Sequence, residues 1–123
     1  MLLAVFVIAA CMSRKDEGQL PNNYLVLAMG STEVYVANPQ RELILGPTLI
    51  SVGVINNFVI AYCGWDTTER NGFANTVGYN ILDTSDGRTV RKLSEAEARL
   101  WIESKGLHFP TMQDPTTIMT ANQ

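Results

Sequence analysis

The chain has 123 residues, a length that favours a single domain with one hydrophobic core. Apolar residues make up 46% of it and charged residues 17%, with a net charge of -3, and this balance excludes an intrinsically disordered chain. The 9 basic residues against 12 acidic ones argue against nucleic acid as a partner, because phosphate binding requires clustered Lys and Arg.

The first ten residues are uncharged and almost all apolar, and they are followed by Cys11. As a helix they would span about 15 Å, half of the hydrocarbon core of a bilayer, so a single transmembrane helix is excluded by length. Their number matches the apolar region of a signal peptide, which has about 7–15 residues. The alternative is an apolar first strand or helix of a cytosolic domain, in which Cys11 is an ordinary buried thiol.

The end of this apolar run has the order aliphatic, small, small, cysteine: Ile8, Ala9, Ala10 and Cys11. This order resembles the lipobox of bacterial lipoproteins. The resemblance implies a signal peptide over residues 1–10, cleavage before Cys11, attachment of diacylglycerol to its sulfur, and lipidation of its new amine, with palmitate among the fatty acids. It also implies a location in the bacterial cell envelope. In a bacterium with two membranes, this location is the outer membrane, facing the periplasm.

Residues 11–23 are mostly polar, contain Gly18 and Pro21 and show no periodicity, which predicts a lipid-anchored tether. The twelve residues after the cysteine would reach at most about 40 Å when fully extended. We then expect a compact β-rich domain with a C-terminal helix over residues 24–110, followed by a polar tail over residues 111–123.

Short apolar runs separated by turn residues fill the chain from Tyr24 to Val90, which is typical of strands joined by hairpins. The pair Asn56 and Asn57 favours a two-residue hairpin, because Asn tolerates positive φ. The run Phe58–Cys63 is apolar without interruption and predicts a central strand covered on both faces. We expect a mainly β (α+β) fold, with a single antiparallel sheet or meander of about five to seven strands.

One helix is predicted over Ser94–Lys105. Ser94 and Glu97 have the spacing of a capping box, and Gly106 stands where a left-handed residue commonly ends a helix. Three residues recur at helical spacing and are predicted to face the sheet: Ala98, Trp101 and Ile102.

The acidic segment Asp83–Gly87 has two interpretations, a calcium loop or a hairpin turn. The EF-hand spacing fails, because glycine and the terminal glutamate do not fall at the required positions, so we favour the turn. Zinc requires several ligands at close spacing, whereas Cys63 and His108 are far apart in the chain. We expect no metal site, and no cofactor, since phosphate-binding and dinucleotide motifs are missing.

The residue types of the chain give little support for a catalytic function. His108 is the only histidine, and the Gly-x-Ser-x-Gly motif of a serine hydrolase is missing. Cys63 ends an apolar strand without an adjacent cation, which predicts a buried and inert thiol. We therefore expect no catalytic residues and no enzymatic activity.

The longest irregular stretch runs from Gly64 to Asn75 and follows the most apolar strand. Exposed loops carry much of the recognition in proteins, and tryptophan is common among the residues that dominate binding energy. Trp65, Asp66 and Arg70 are therefore candidates for binding a partner. The alternative is that Trp65 caps the core at the end of the sheet.

Three sequences between Phe58 and Ala98 occur together: "FVIAY", "YNILDTSDGRTV" and "KLSEAEA". Together they resemble a type of small, uncharacterised bacterial lipoprotein domain. The resemblance covers about a third of the chain and implies a compact sheet followed by a helix. It implies no activity, because a shared fold does not by itself carry a function.

Two functions remain open at this point. The first is a lipid-anchored cell-envelope protein that acts as a non-catalytic binding or interaction module, one form of which is an inhibitor or immunity protein. The second is a structural or assembly-factor lipoprotein without a soluble ligand. In the first, we expect two partners, the membrane through the lipid anchor and a protein, and no nucleic acid.

Overall fold

The computed structural model describes residues 17–30, 33–64 and 76–120, and these contain eight strands in two sheets. The first sheet has the order β1 (Glu17–Gln19), β2 (Leu25–Gly30), β3 (Glu33–Ala37) and β4 (Leu43–Leu45). The second has the order β5 (Leu49–Ile55), β6 (Phe58–Cys63), β7 (Gly78–Asp83) and β8 (Arg88–Leu93). A 3-10 helix (Pro21–Asn23) and two α-helices, α1 (Glu95–Glu103) and α2 (Pro115–Thr120), complete the described elements.

The mainly β class with antiparallel strands is confirmed, but the single sheet of five to seven strands is not what forms. The strands divide into two sheets of four, and the chain passes from one to the other between Leu45 and Leu49. Gly46 lies in this passage with φ 110, where a Cβ would stand 2.7 Å from the carbonyl oxygen of Val34. Strand patterns along a sequence do not distinguish the next strand of the same sheet from the first strand of a facing sheet.

The two sheets face each other across a shared apolar core. Both sheets and the segment between β1 and β2 contribute buried side chains to it. These include Leu20, Val26, Val36, Leu45, Leu49, Val52, Val59, Ala61 and Leu82. β6 lies inside the second sheet and is buried on both faces, as predicted. Val59 points into the shared core, whereas the neighbouring Ile60 belongs to a second cluster on the outer face.

Helix α1 covers that outer face. Its capping box is confirmed, since Ser94 Oγ accepts from the Glu97 amide and Glu97 Oε1 accepts from the Ser94 amide. The three predicted residues do face the sheet: Ala98 and Ile102 are fully buried, and Trp101 meets the ring of Phe58 edge-on. The helix ends two residues earlier than predicted, at Glu103.

Residues 17–23, which the sequence assigns to the predicted tether, belong to the fold. β1 pairs with β2, with Gly18 opposite Val26, and Leu20 is only 3% exposed. A Cβ on Gly18 would lie 2.6 Å from the side chain of Ile118 in α2. The polar composition concealed this strand, because the side of β1 at Gly18 packs against Ile118 in α2, which lies far away in the chain.

The predicted polar tail also belongs to the fold as far as residue 120. Val52 and Gln113 exchange two backbone hydrogen bonds, each 2.8 Å long, which attach the C-terminal segment to the edge of β5. Helix α2 packs against β1 and β5, and Met119 inserts into the shared core. The C-terminal segment thereby joins the two sheets.

Asn80 is a fully buried polar residue at an irregularity between β7 and β8. Its side-chain nitrogen lies 2.7 Å from the carbonyl oxygen of Thr76, 3.1 Å from that of Gly78 and 3.2 Å from that of Ala61. Its side-chain oxygen accepts from the amide of Lys92 at 3.2 Å. One side chain therefore satisfies backbone groups from three places in the fold.

We expect Asn80→Ala to lower the free energy of unfolding by about 2–3 kcal/mol, because a buried polar group left without a partner costs about 1–3 kcal/mol. Urea unfolding measures this loss. The exposed Gln40→Ala serves as a control and should change stability by less than about 0.5 kcal/mol. Equal losses in the two variants would contradict the structural role of Asn80.

Candidate interaction surface

Four predicted site residues lie outside the described residues: Cys11, Trp65, Asp66 and Arg70. The structure does describe the chain on both sides of the segment that carries the last three. β6 ends at Cys63 and β7 begins at Gly78, and these two residues pair with each other. The segment thus leaves and re-enters the fold at one end of the second sheet.

The end of β2 and the start of β3, where Gly30 pairs with Glu33, lie at the same end. The amide of Gly46 donates to Thr76 Oγ1 at 3.4 Å, and Gly46 lies against Val34 and Tyr35 near the start of β3. We call this the loop end of the molecule and define it by Gly30, Gly64 and Thr76.

The opposite end, which we call the turn end, is defined by Asn22, Asn57 and Thr84. Thr84 Oγ1 donates to the carbonyl oxygen of Asn57 at 2.6 Å, and Asn22 Nδ2 donates to Thr84 Oγ1 at 2.9 Å. Asp83 accepts from the side chains of Asn57 and Ser85, and the bond from Ser85 is the main cause that lowers the pKa of Asp83. This carboxylate is engaged in the turn, which supports the hairpin interpretation.

An aromatic surface lies next to the loop end, on the outer face of the second sheet. The rings of Tyr62 and Tyr79 are 4.7 Å apart, and Phe109 lies 6.4 Å from Tyr79. The guanidinium of Arg99 stands 4.6 Å above the Phe109 ring and pairs with Glu95 at 2.9 Å. We call these five residues the aromatic surface.

Hydrogen bonding and stacking hold the aromatic surface in place. The Tyr79 hydroxyl donates to Glu95 Oε1 at 3.3 Å, and burial together with the charge of Glu95 raises the pKa of Tyr79, so the hydroxyl stays protonated. The rings of Tyr62, Tyr79 and Phe109 are half-buried. Fixed tyrosines with one apolar side and one polar tip are well suited to protein recognition, because little side-chain entropy is lost on binding.

Sequence reasoning did not identify the aromatic surface. Its residues come from β6, β7, α1 and the segment after α1, and they meet only when these elements pack. One signal was present: Tyr62 and Tyr79 stand close to the two ends of the irregular stretch, so a hairpin register would bring them together.

Cys63 is fully buried at the end of β6, as predicted. Burial raises the pKa of the Cys63 thiol to about 12, although the side chain of Thr76 and the charge of Arg91 oppose the rise. A thiol in this state is protonated at neutral pH and is a poor nucleophile.

We expect iodoacetamide at pH 8 to leave Cys63 unmodified in the folded protein and to modify it in urea. Because the thiol has an ordinary pKa of 9.0 when exposed, the unfolded chain loses its proton first, and stability should fall as the pH rises from 9.0 toward about 12. Mass spectrometry of peptides and urea unfolding at several pH values measure the two effects. Cys63→Ala should lack this part of the pH dependence, and rapid labelling of folded Cys63 would contradict its burial.

An open groove of about 610 Å³ runs between the edge of β5 and the C-terminal segment. It is lined by uncharged groups: Gln19, Val54, Pro110, Gln113, Thr117 and Ile118 among them. The lining therefore offers no group for proton transfer and no charge to attract an ionic ligand.

In the described part of the chain, no three His, Cys, Asp or Glu side chains come together in a way that could hold a metal ion. None of its helices has the length and apolar character needed to span a membrane.

Comparison with models of known protein families, with curated proteins and with solved structures finds no match to this chain. The resemblance to small bacterial lipoproteins therefore stays a prediction made from the sequence.

Proposed function

We propose that this chain is a lipid-anchored protein of the bacterial cell envelope that acts as a non-catalytic binding module for another protein. Cys11 carries the acyl chains, and the β-rich domain presents the binding surface. An inhibitor or immunity protein is one form of this function.

The anchor is supported by the order of residues that ends at Cys11. The apolar run before it is too short to span a bilayer as a helix. Processing at Cys11 would remove residues 1–10 and leave every described strand intact.

The binding role is carried by one observation, the aromatic surface beside the ends of the irregular stretch. Tyr62 and Tyr79 are the last pair but one of the β6–β7 ladder before the chain leaves toward Trp65. The segment that contains Trp65, Asp66 and Arg70 therefore leaves the described fold next to the Tyr62–Tyr79 pair. We propose that these three residues and the tyrosine pair contact the same partner.

We expect Trp65→Ala to weaken capture of the partner from detergent-solubilised membranes about tenfold or more while leaving the melting temperature nearly unchanged. Aromatic residues at the centre of an interface commonly contribute about 2 kcal/mol or more, and 1.4 kcal/mol corresponds to tenfold in affinity. Titration of the captured partner and thermal unfolding measure the two quantities.

The control is Leu100→Ala, which removes an exposed apolar side chain from the outer side of α1. It should leave both capture and melting temperature unchanged. A large loss of stability in Trp65→Ala would show that Trp65 caps the core instead, and unchanged capture would favour the structural or assembly-factor alternative.

A further inference from the structure

The edge of β5 is only partly paired. The amide and the carbonyl of Val52 both bond to Gln113, so they point away from β6. Backbone groups two residues apart in an antiparallel strand point the same way, and the register from Val52 to Ile55 has no irregularity. The amide and carbonyl of Val54 therefore also point away from β6, and no described residue bonds to them.

The C-terminal segment does not continue along this edge. In the register set by the bridge at Gln113, Thr111 would stand opposite Val54. The segment lies instead over the outer face of the second sheet at Gly53. There the carbonyl oxygen of Thr111 is 3.3 Å, and Cγ of Pro110 is 2.9 Å, from the position of a Cβ on Gly53. One hydrogen-bonded pair of this edge is therefore formed, and the next is open.

The open part of the edge lines the groove between β5 and the C-terminal segment. Its volume of about 610 Å³ falls within the roughly 300–1,000 Å³ of ligand sites. Val54, Gln19, Thr117 and Ile118 all line it. The side chain of Val54 is on the same face of β5 as Val52, which is fully buried in the shared core, yet Val54 is 39% exposed. The groove therefore extends outward from the rim of the core.

These features define the chemistry of an occupant. An amide and a carbonyl that face outward from a sheet edge pair with the backbone of another extended chain. The C-terminal segment pairs in this way one position further along, at Val52. The described lining carries no charged group, so a charged side chain would lose its hydration there without gaining a partner. An aliphatic side chain would instead contact Val54 and Ile118.

We propose that this groove binds an extended, uncharged peptide segment of a partner protein by β-strand addition. The segment bonds through its backbone to the amide and carbonyl of Val54, and it places an aliphatic side chain against Val54 and Ile118. This site goes beyond the proposed function, because the groove shares no residue with the aromatic surface and does not depend on the anchor at Cys11.

Hydrogen exchange followed by nuclear magnetic resonance tests whether the edge is open. In the full chain without peptide, we expect the Val54 amide to exchange about tenfold faster than the amides of Val52 and Gly53. Those two amides bond to Gln113 and to β6, respectively. Equal protection of the three amides would overturn the inference, because it would show that the Val54 amide already has a partner.

Peptides selected from a phage library of random seven-residue sequences serve as the probes of binding. We expect uncharged, aliphatic sequences among those enriched on the full chain, and we expect a synthetic copy to slow exchange of the Val54 amide about tenfold. N-methylation of the peptide amides that face β5 should abolish binding, whereas N-methylation of the alternate amides should not. The inference fails if no such sequence is enriched, or if the two methylation patterns have equal effects.

Variants of the chain test the backbone and the groove separately. Val54→Pro removes the outward amide and no bond to β6, so it should weaken peptide binding about tenfold, whereas Val54→Thr should not. Thr117→Arg places a long charged side chain at an exposed position of the groove and should weaken binding by a similar factor, whereas Thr117→Ala should not. Circular dichroism shows whether each variant is folded. Unchanged binding in Thr117→Arg overturns the inference even where Val54→Pro does not fold.

A second copy of this chain is the competing occupant of the groove. We expect sedimentation equilibrium to give the same oligomeric state for the unaltered chain and for Thr117→Arg. A dimer that dissociates in Thr117→Arg would overturn the inference, because the groove would then hold a second copy and not a partner peptide.

Discussion

Replacing Cys11 with serine is expected to abolish incorporation of labelled palmitate and to move the protein from the detergent phase to the aqueous phase. The thiol is the attachment point for the lipid in the motif that this sequence resembles, and a hydroxyl does not substitute for it. One acyl chain holds a protein to a membrane only marginally, whereas two or three hold it firmly. We therefore expect the chain with a lipidated Cys11 to stay in the detergent phase and the Cys11→Ser chain to leave it. Labelling of growing bacteria and phase partition measure it.

The matched control is the other cysteine. Cys63→Ala should keep full palmitate labelling, because Cys63 is buried in the shared core and takes no part in the anchor. Labelling that survives in Cys11→Ser would contradict the anchor. Detection of an unmodified chain that begins at Met1 in the native host would favour the alternative, in which the apolar run is the first strand or helix of a cytosolic domain.

Shortening Ile102 to alanine is expected to lower the free energy of unfolding by about 2–5 kcal/mol. Ile102 is 0% exposed and packs with Ile60 and Ile81 between α1 and the second sheet, so the change leaves a cavity. Alanine is the best helix former, so the loss reports packing and not helix propensity. Urea unfolding followed by circular dichroism measures the change.

Leu100→Ala provides the control in the same helix. Leu100 is 67% exposed, and removal of its side chain should change stability by less than about 0.5 kcal/mol. A small loss for Ile102→Ala, comparable to that control, would show that α1 does not form part of the core.

Local features of the fold could be predicted because neighbouring residues determine them. The capping box of Ser94 and Glu97 requires only residues three apart, and the helix it starts is present. The hairpin at Asn56 has the positive φ that Asn tolerates, with φ 54, and Gly87 has φ 79 in its predicted turn. The burial of β6 on both faces followed from its unbroken apolar run.

The binding surface could be predicted only in part. Trp65, Asp66 and Arg70 stand together in an irregular stretch, and their role in binding stays a prediction. The sequence does not indicate Tyr62 and Tyr79, because along the chain each has the pattern of an ordinary strand residue. Their pairing follows from the register of β6 and β7, which the residues on either strand do not reveal alone.

The sequence by itself determined the class of the fold and the position of helix α1. The order of its residues also predicts a lipid anchor at Cys11. Only the tertiary structure decided that the strands form two sheets and that Glu17–Gln19 and Met119 belong to them. The physical reason is the range of the interactions. Caps and turns depend on residues a few positions apart, whereas Gly18 in β1 packs against Ile118 in α2, and Met119 is buried in a core that both sheets share.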